Sequence, residues 1–282
     1  MRCGHSPTVN AHIVPQSLTI RIALGAALVI AVAAVARRAN ALTAGGALAA
    51  VVVGTCAVAA GWEWAGVLLF FFLTSTSLTR LHADVKEARG AARMEKTGAR
   101  DAVQVYANGG AFAAAAFAHT VLESPVYGAA ALGAIAAATA DTWATEIGML
   151  APQTPRSILT GRPVPPGTSG GVTTAGWLAG CMGALSIACV VTLMRLSGFV
   201  ALVAAAGGIT GMFVDSVLGA GWQARYRCER CDVSTERTTH SCGMRTKHEG
   251  GLRWLNNDAV NFLSTIAGAA VAAFACMAAA SL

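Results

Sequence analysis

Long apolar stretches divided by short polar gaps limit what this 282-residue chain can fold into, and the charge of the gaps alternates. Seventeen of the twenty Lys and Arg residues fall in four gaps: Arg37 and Arg38, the six from Arg80 to Arg100, Arg156 with Arg162, and the seven from Arg225 to Arg253. The intervening gaps hold only Arg195. Loops rich in Lys and Arg stay on the cytoplasmic side of a membrane. All four basic gaps are therefore expected to face the cytoplasm, where nucleotides are available.

A hydrocarbon core of about 30 Å needs roughly 20 mostly apolar residues per helix. Eight segments meet or approach that length, at about 18–36, 41–60, 62–79, 102–120, 126–145, 173–194, 198–219 and 257–280. With charged residues at only 12% and mean hydropathy of +0.57, the expected fold is all-α. It is a polytopic transmembrane bundle of about eight helices behind a polar N-terminal tail, 1–17. The membrane domain, 18–282, has cytoplasmic loops at 80–101, 147–172 and 220–256, and both termini lie outside. The first segment has a second reading, because the run from Ala31 to Ala36 mimics a signal-peptide cleavage site. Arg37 and Arg38 read instead as a stop to transfer.

Glycine and alanine fill most segments, and small residues let helices approach closely in lipid. Gly207, Gly211, Asp215 and Gly219 repeat every four residues on one face. The glycines read as packing. The aspartate is different, since a carboxylate costs roughly 2.5 to 3.5 kcal/mol at the membrane centre and is usually functional there, although Asp215 sits near the cytoplasmic end.

Polar side chains recur at the cytoplasmic helix ends. Asp141, Thr142, Thr145 and Glu146 close the fifth segment, while Asn256, Asn257 and Asp258 open the eighth, with Asn261 one turn on. Asp101, Gln104 and Asn108 open the fourth, and Thr74 to Ser77 end the third. The outer ends hold only Glu63 and Glu123 as carboxylates. Asp141 and Glu146 stand roughly 140° apart on an ideal helix, so either the helix unwinds near Glu146 or the two bind different things.

The loop from Arg162 to Gly171 carries three prolines and three glycines but lacks the Gly-Lys-Ser/Thr ending of a Walker A loop. Its chemistry still suits phosphate. Gly167, Gly170 and Gly171 let backbone N–H groups crowd an anion, Thr168 and Ser169 offer hydroxyls, and a helix start follows. A rigid turn between helices is the other reading.

Cys228-x2-Cys231 and His240-x-Cys242 stand within fifteen residues. Three thiolates and an imidazole suit a structural tetrahedral zinc, and a reducing cytosol argues against disulfides there. Cys56, Cys181, Cys189 and Cys276 lie in apolar segments and read as small packing residues.

Five blocks resemble those of a known family: Gln104 to Gly109, Ala140 to Gly148, Pro165 to Gly171, Asp215 to Gly219 and Trp254 to Phe262. They look like the motifs of the domain-of-unknown-function 92 integral membrane family, in the family's order, over roughly residues 60 to 270. That family includes transmembrane protein 19 and a plant phytyl-phosphate kinase, so the resemblance implies a phosphotransferase acting on a prenyl phosphate.

Residues and resemblance converge on phosphoryl transfer, which depends mainly on positioning and charge neutralisation. Asp141, Asp215 and Asp258 are the expected Mg²⁺ ligands, with Glu146 as ligand or base. The 165–171 loop would hold the triphosphate and Arg80, Arg156 or Arg162 offset its charge, while Gln104, Asn108, Asn257 and Asn261 complete the wall. The expected partners are a membrane lipid or prenyl phosphate and a nucleoside triphosphate, CTP among the candidates, and not nucleic acid. The competing reading is a transporter of an anion or phosphorylated metabolite, against which the apolar outer helix halves argue.

Overall fold

The computed structural model describes residues 18–90, 93–96 and 98–281, so the N-terminal tail lies outside the described residues. Among the described residues nine helices run in the order α1 (Leu18–Arg38), α2 (Ala44–Ala60), α3 (Trp62–Arg80), α4 (Ala83–Arg89), α5 (Ala102–Leu122), α6 (Pro125–Leu150), α7 (Thr174–Leu193), α8 (Gly198–Gly221) and α9 (Asn257–Ala280). Each of the eight expected segments is one of these helices. The ninth, α4, lies within the first large basic gap, read from sequence as loop. His82 adopts the left-handed conformation, with φ of 48°, and the chain leaves the axis of α3 by 64°.

By length and hydropathy α1, α7, α8 and α9 can each cross a membrane, and α3 with α4 makes a fifth, bent candidate. The 17 residues of α2 are apolar but short. The alanine-rich composition of α6 follows from its position. Every residue from Gly128 to Ala140 is buried, and α6 packs against α3, α5, α7, α8 and α9. A helix buried all round in protein has no lipid-facing stripe to fill with large apolar side chains, and its alanines and glycines let five neighbours close in.

One close crossing joins Gly133 of α6, Gly207 of α8 and Gly268 of α9. A Cβ on Gly268 would lie 2.7 Å from the Gly133 carbonyl oxygen, and one on Gly207 would lie 2.5 Å from that of Gly268. Gly211, on the same face as Gly207, abuts Ala137 and Ser264, so that glycine row is a packing surface. Gly268→Ala is expected to cost about 1–3 kcal/mol by forcing backbones apart. Thermal unfolding in detergent should show a lower midpoint for Gly268→Ala and an unchanged one for Gly198→Ala, whose Cβ would meet nothing within 4 Å.

Among the described residues the loops contain five short strands that the all-helical reading did not anticipate. β1 (Arg156–Ser157) and β2 (Gly171–Val172) pair antiparallel and close the glycine-rich loop. β3 (Arg225–Cys228), β4 (Val233–Thr235) and β5 (Lys247–Gly250) form an antiparallel sheet in the order β4-β3-β5. Cys276, read from sequence as a packing residue, is fully buried and is also disulfide-bonded.

Candidate functional site

Side chains at the helix starts first secure the framework. Asp101 Oδ1 accepts from the Gln104 backbone N–H at 2.9 Å, and Gln104 Oε1 accepts from that of Asp101 at 3.1 Å, a reciprocal cap on α5. Asn256 caps α9 through the Ala259 N–H at 3.0 Å, and Thr173 caps α7 through that of Gly176 at 3.0 Å. Part of the polar bias at the helix ends is thus ordinary capping.

What remains converges on one cleft of about 310 Å³ at the end of the bundle that carries the large basic loops. Asp141 and Asp215 come from α6 and α8, adjacent helices, and their carboxyl groups lie within hydrogen-bonding reach of one another. Asp215 Oδ2 is buried with no hydrogen-bond partner among the described residues. Gln104, Asn108, Asn257, Asn261, Glu146 and the Gly167 to Gly171 loop also line the cleft.

The loop is wedged into place. Gly170 has φ of +69°, and a Cβ there would lie 2.5 Å from the Ser216 carbonyl oxygen of α8. The two hydroxyls expected to meet phosphate are already donated within the protein, Thr168 Oγ1 to the Pro165 carbonyl at 2.7 Å and Ser169 Oγ to Glu236. The loop's backbone is freer. The N–H groups of Gly167, Ser169 and Gly170 have no acceptor among the described residues, which leaves three backbone donors uncommitted in a glycine-rich loop on the cleft wall.

Glu146 resolves the angular question raised by its spacing from Asp141. The helix does not unwind; α6 runs on to Leu150. Glu146 turns to other partners, accepting from Thr79 Oγ1 at 2.6 Å and pairing with Lys86 Nζ at 2.6 Å. Lys86 also donates to the Leu78 carbonyl at 2.5 Å, closing the end of α3.

Asp258, expected beside Asp141 and Asp215, is buried with its Oδ2 2.5 Å from Lys96 Nζ. It does not line the cleft, whereas Lys96 does. The arginines expected to offset phosphate charge also lie off the cleft wall. Arg80 donates to the Ala39 carbonyl, Arg156 donates to that of Gly161 at 2.8 Å, and Arg162 is exposed on the same hairpin loop. The cations on the wall are Lys86, Lys96 and Arg100. All three belong to the basic gap that the positive-inside pattern had already accounted for, so sequence gave no separate signal for them.

Glu236 is a further cleft residue not singled out from sequence. It follows β4, accepts from Ser169 Oγ and from the Glu95 backbone N–H, and is pushed up to about 7 by burial. Its neighbours pin the β3-β4-β5 unit to the basic loop: Thr235 Oγ1 donates to the Arg93 carbonyl at 3.0 Å, and Arg237 Nε to that of Met94 at 2.8 Å.

That unit holds Cys228, Cys231, His240 and Cys242, whose ligand atoms all lie within 4.8 Å of one another. Cys228 Sγ and Cys242 Sγ are 3.6 Å apart, close to the ~3.8 Å edge of a tetrahedron built on 2.3 Å zinc–sulfur bonds. The hydrogen bond with His240 pulls the Cys242 thiol down to about 6. The donor set and its spacing fit a closed four-ligand zinc site.

Comparison with known proteins agrees with this architecture. The family model described as integral membrane protein DUF92 matches residues 27–269. The chain is 31% identical to Protein PGR of Arabidopsis thaliana, over 78% of this chain and 84% of the relative. It is 30% identical to an uncharacterized membrane protein of Methanocaldococcus jannaschii, over 74% of each. It is also 30% identical to an uncharacterized membrane protein of Synechocystis, over 76% of this chain and 74% of that one. No solved structure matches. A polytopic helical bundle whose sequence matches the family model over residues 27–269 belongs to the DUF92 family of integral membrane proteins.

Proposed function

We propose that this protein is a membrane kinase that transfers a phosphoryl group from a nucleoside triphosphate to a prenyl monophosphate at the cytoplasmic membrane surface. The observation that carries the reading is the convergence in one cleft of the Asp141 and Asp215 carboxyl groups, three uncommitted N–H groups of the glycine-rich loop, and Lys86, Lys96 and Arg100.

Asp141 and Asp215 would hold Mg²⁺; the unpartnered Asp215 Oδ2 and the paired oxygen donors suit a hard cation. When bound, that ion neutralises charge on the triphosphate. The loop N–H groups hold the triphosphate from one side, and the three cations offset the charge of donor and acceptor phosphates from the other. Gln104, Asn108, Asn257 and Asn261 orient the acceptor phosphate through their amides. An oxygen of the lipid monophosphate attacks the γ-phosphorus, a new P–O bond forms as the bond to the β-phosphate oxygen breaks, and the nucleoside diphosphate leaves. The acceptor oxygen is already anionic, so no strong base is required. Asp258 acts through Lys96, holding its ammonium at the cleft wall.

The Cys/His unit reads as a structural zinc module that sets Glu236 and Ser169 in place. Purified protein is expected to carry about one zinc per chain by elemental analysis, lost in Cys228→Ser/Cys231→Ser. Metal-free wild-type protein, prepared without chelator, would exclude the site.

The basic loops support an orientation in which the cleft faces the cytoplasm. The test of function is to supply purified protein in detergent with prenyl monophosphates of several lengths, each nucleoside triphosphate and Mg²⁺. Lipid diphosphate should form with one nucleotide preferred. No transfer with any pair, together with phosphate or metabolite uptake in proteoliposomes, would give the function to transport instead.

A further inference from the structure

A second cavity, of about 140 Å³, opens between α1, α2, α3 and α5. Its wall is apolar from Leu42 at the basic end to Val58 and Trp62 at the far end, through side chains such as Ala50 and Leu68. From Ala44 to Val58 the rise of α2 alone is about 21 Å, the scale of one extended hydrocarbon chain rather than of a headgroup. The polar residues on this wall are Arg100, Gln104 and Asn108, and these same three also line the cleft. Groove and cleft therefore meet at one polar point.

Arg100 is fixed there by its backbone. Its N–H donates to the Ala41 carbonyl at 3.0 Å and its own carbonyl accepts from Thr43 N–H at 3.0 Å. The guanidinium lies over the Phe71 ring at 5.9 Å and makes no hydrogen bond or salt bridge among the described residues. Arg100 is half-buried, and a guanidinium with no such partner beside an apolar groove offers its N–H fork to a bound anion such as a phosphate. Burial lowers the Arg100 pKa from its ordinary value, countered by the Glu146 carboxylate.

We propose that this groove holds the isoprenoid chain of the phosphate acceptor, with Arg100 binding its monophosphate where groove and cleft meet. The inference rests on the phosphotransfer reading for the identity of the acceptor. An apolar chain in the groove and a dianionic head at Arg100 satisfy both halves of the wall at once, and a monophosphate held there faces the glycine-rich loop across the cleft.

The probe is farnesyl monophosphate carrying a diazirine near the far end of its chain, photolysed with the full-length protein in nanodiscs. Label is expected on α1, α2 and α3 peptides, competed by phytyl phosphate and not by phosphatidylglycerol. Arg100→Gln should weaken farnesyl phosphate binding at least tenfold and farnesol binding hardly at all. Ala50→Phe should weaken both while nucleotide binding persists, and Leu202→Phe, exposed on α8 and absent from the groove, should change neither. Label on the outer faces of α7 or α9, competition by phosphatidylglycerol, or binding indifferent to Arg100→Gln overturns the proposal. Groove-dependent binding without phosphoryl transfer in wild type keeps the groove and removes the kinase reading. Transfer that ignores both variants does the reverse.

Discussion

Asp215→Asn is expected to lower phosphoryl transfer about a hundredfold while leaving the bundle folded. The substitution keeps the size of the side chain and much of its hydrogen bonding. It removes the charge that would neutralise a cation beside Asp141, and the buried Oδ2 has no hydrogen-bond partner among the described residues whose loss would unsettle the fold. Losing one such ligand corresponds to about 3 kcal/mol at 1.36 kcal/mol per decade of rate. Asp141→Asn should behave alike, and raised Mg²⁺ should partly rescue both. Asp258→Asn separates the roles. Its carboxylate is tied to Lys96 at 2.5 Å, so activity should fall without rescue by Mg²⁺. Arg195→Gln, at the opposite end of the bundle, is the control. Steady-state rates across a Mg²⁺ titration, with thermal unfolding of each variant, check all four.

Lys86→Met is expected to destabilise the protein by about 3–5 kcal/mol, the usual cost of breaking a buried ion pair from one side. The Lys86 and Glu146 side chains are only 6% and 16% exposed, and removing the ammonium strands the Glu146 carboxylate against Thr79 and the end of α3. Exchanging both residues for methionine should cost less than either single change, because no orphan charge remains. The exposed pair Arg227 and Asp232, with Asp232 79% exposed, should contribute under about 1 kcal/mol when broken. Denaturant unfolding in detergent, with a double-mutant cycle on Lys86 and Glu146, measures these differences.

The helical frame was legible because lipid imposes one rule on every span, a run of apolar residues with polar ends. That rule recovered all eight long helices. It could not reveal α4, whose sequence Ala83 to Arg89 is short, polar and bent away from α3. Nor could it reveal strands of two to four residues, which depend on loop pairing rather than on composition. Asp141 and Asp215, seventy-four positions apart in sequence, could be proposed as neighbours because both end spans at the same membrane face. Lys86, Lys96 and Arg100 carried the same mark as every other cation of their loop, and only the docking of that loop against α2 and α6 brings them to the cleft in place of Arg80, Arg156 and Arg162. Glu236 stood among exposed loop carboxylates. Its burial arises from the Cys/His unit settling on the 93–96 segment, a contact across more than 140 positions of sequence.

The most direct test supplies purified protein and a prenyl monophosphate with a nucleoside triphosphate isotopically labelled in its γ-phosphoryl group, and follows the label by phosphorus NMR. The label should appear in the terminal phosphate of the lipid diphosphate, at a rate lowered about a hundredfold in Asp141→Asn and Asp215→Asn. Label recovered only as inorganic phosphate, or lipid diphosphate formed equally fast by both variants, would contradict phosphoryl transfer at this cleft.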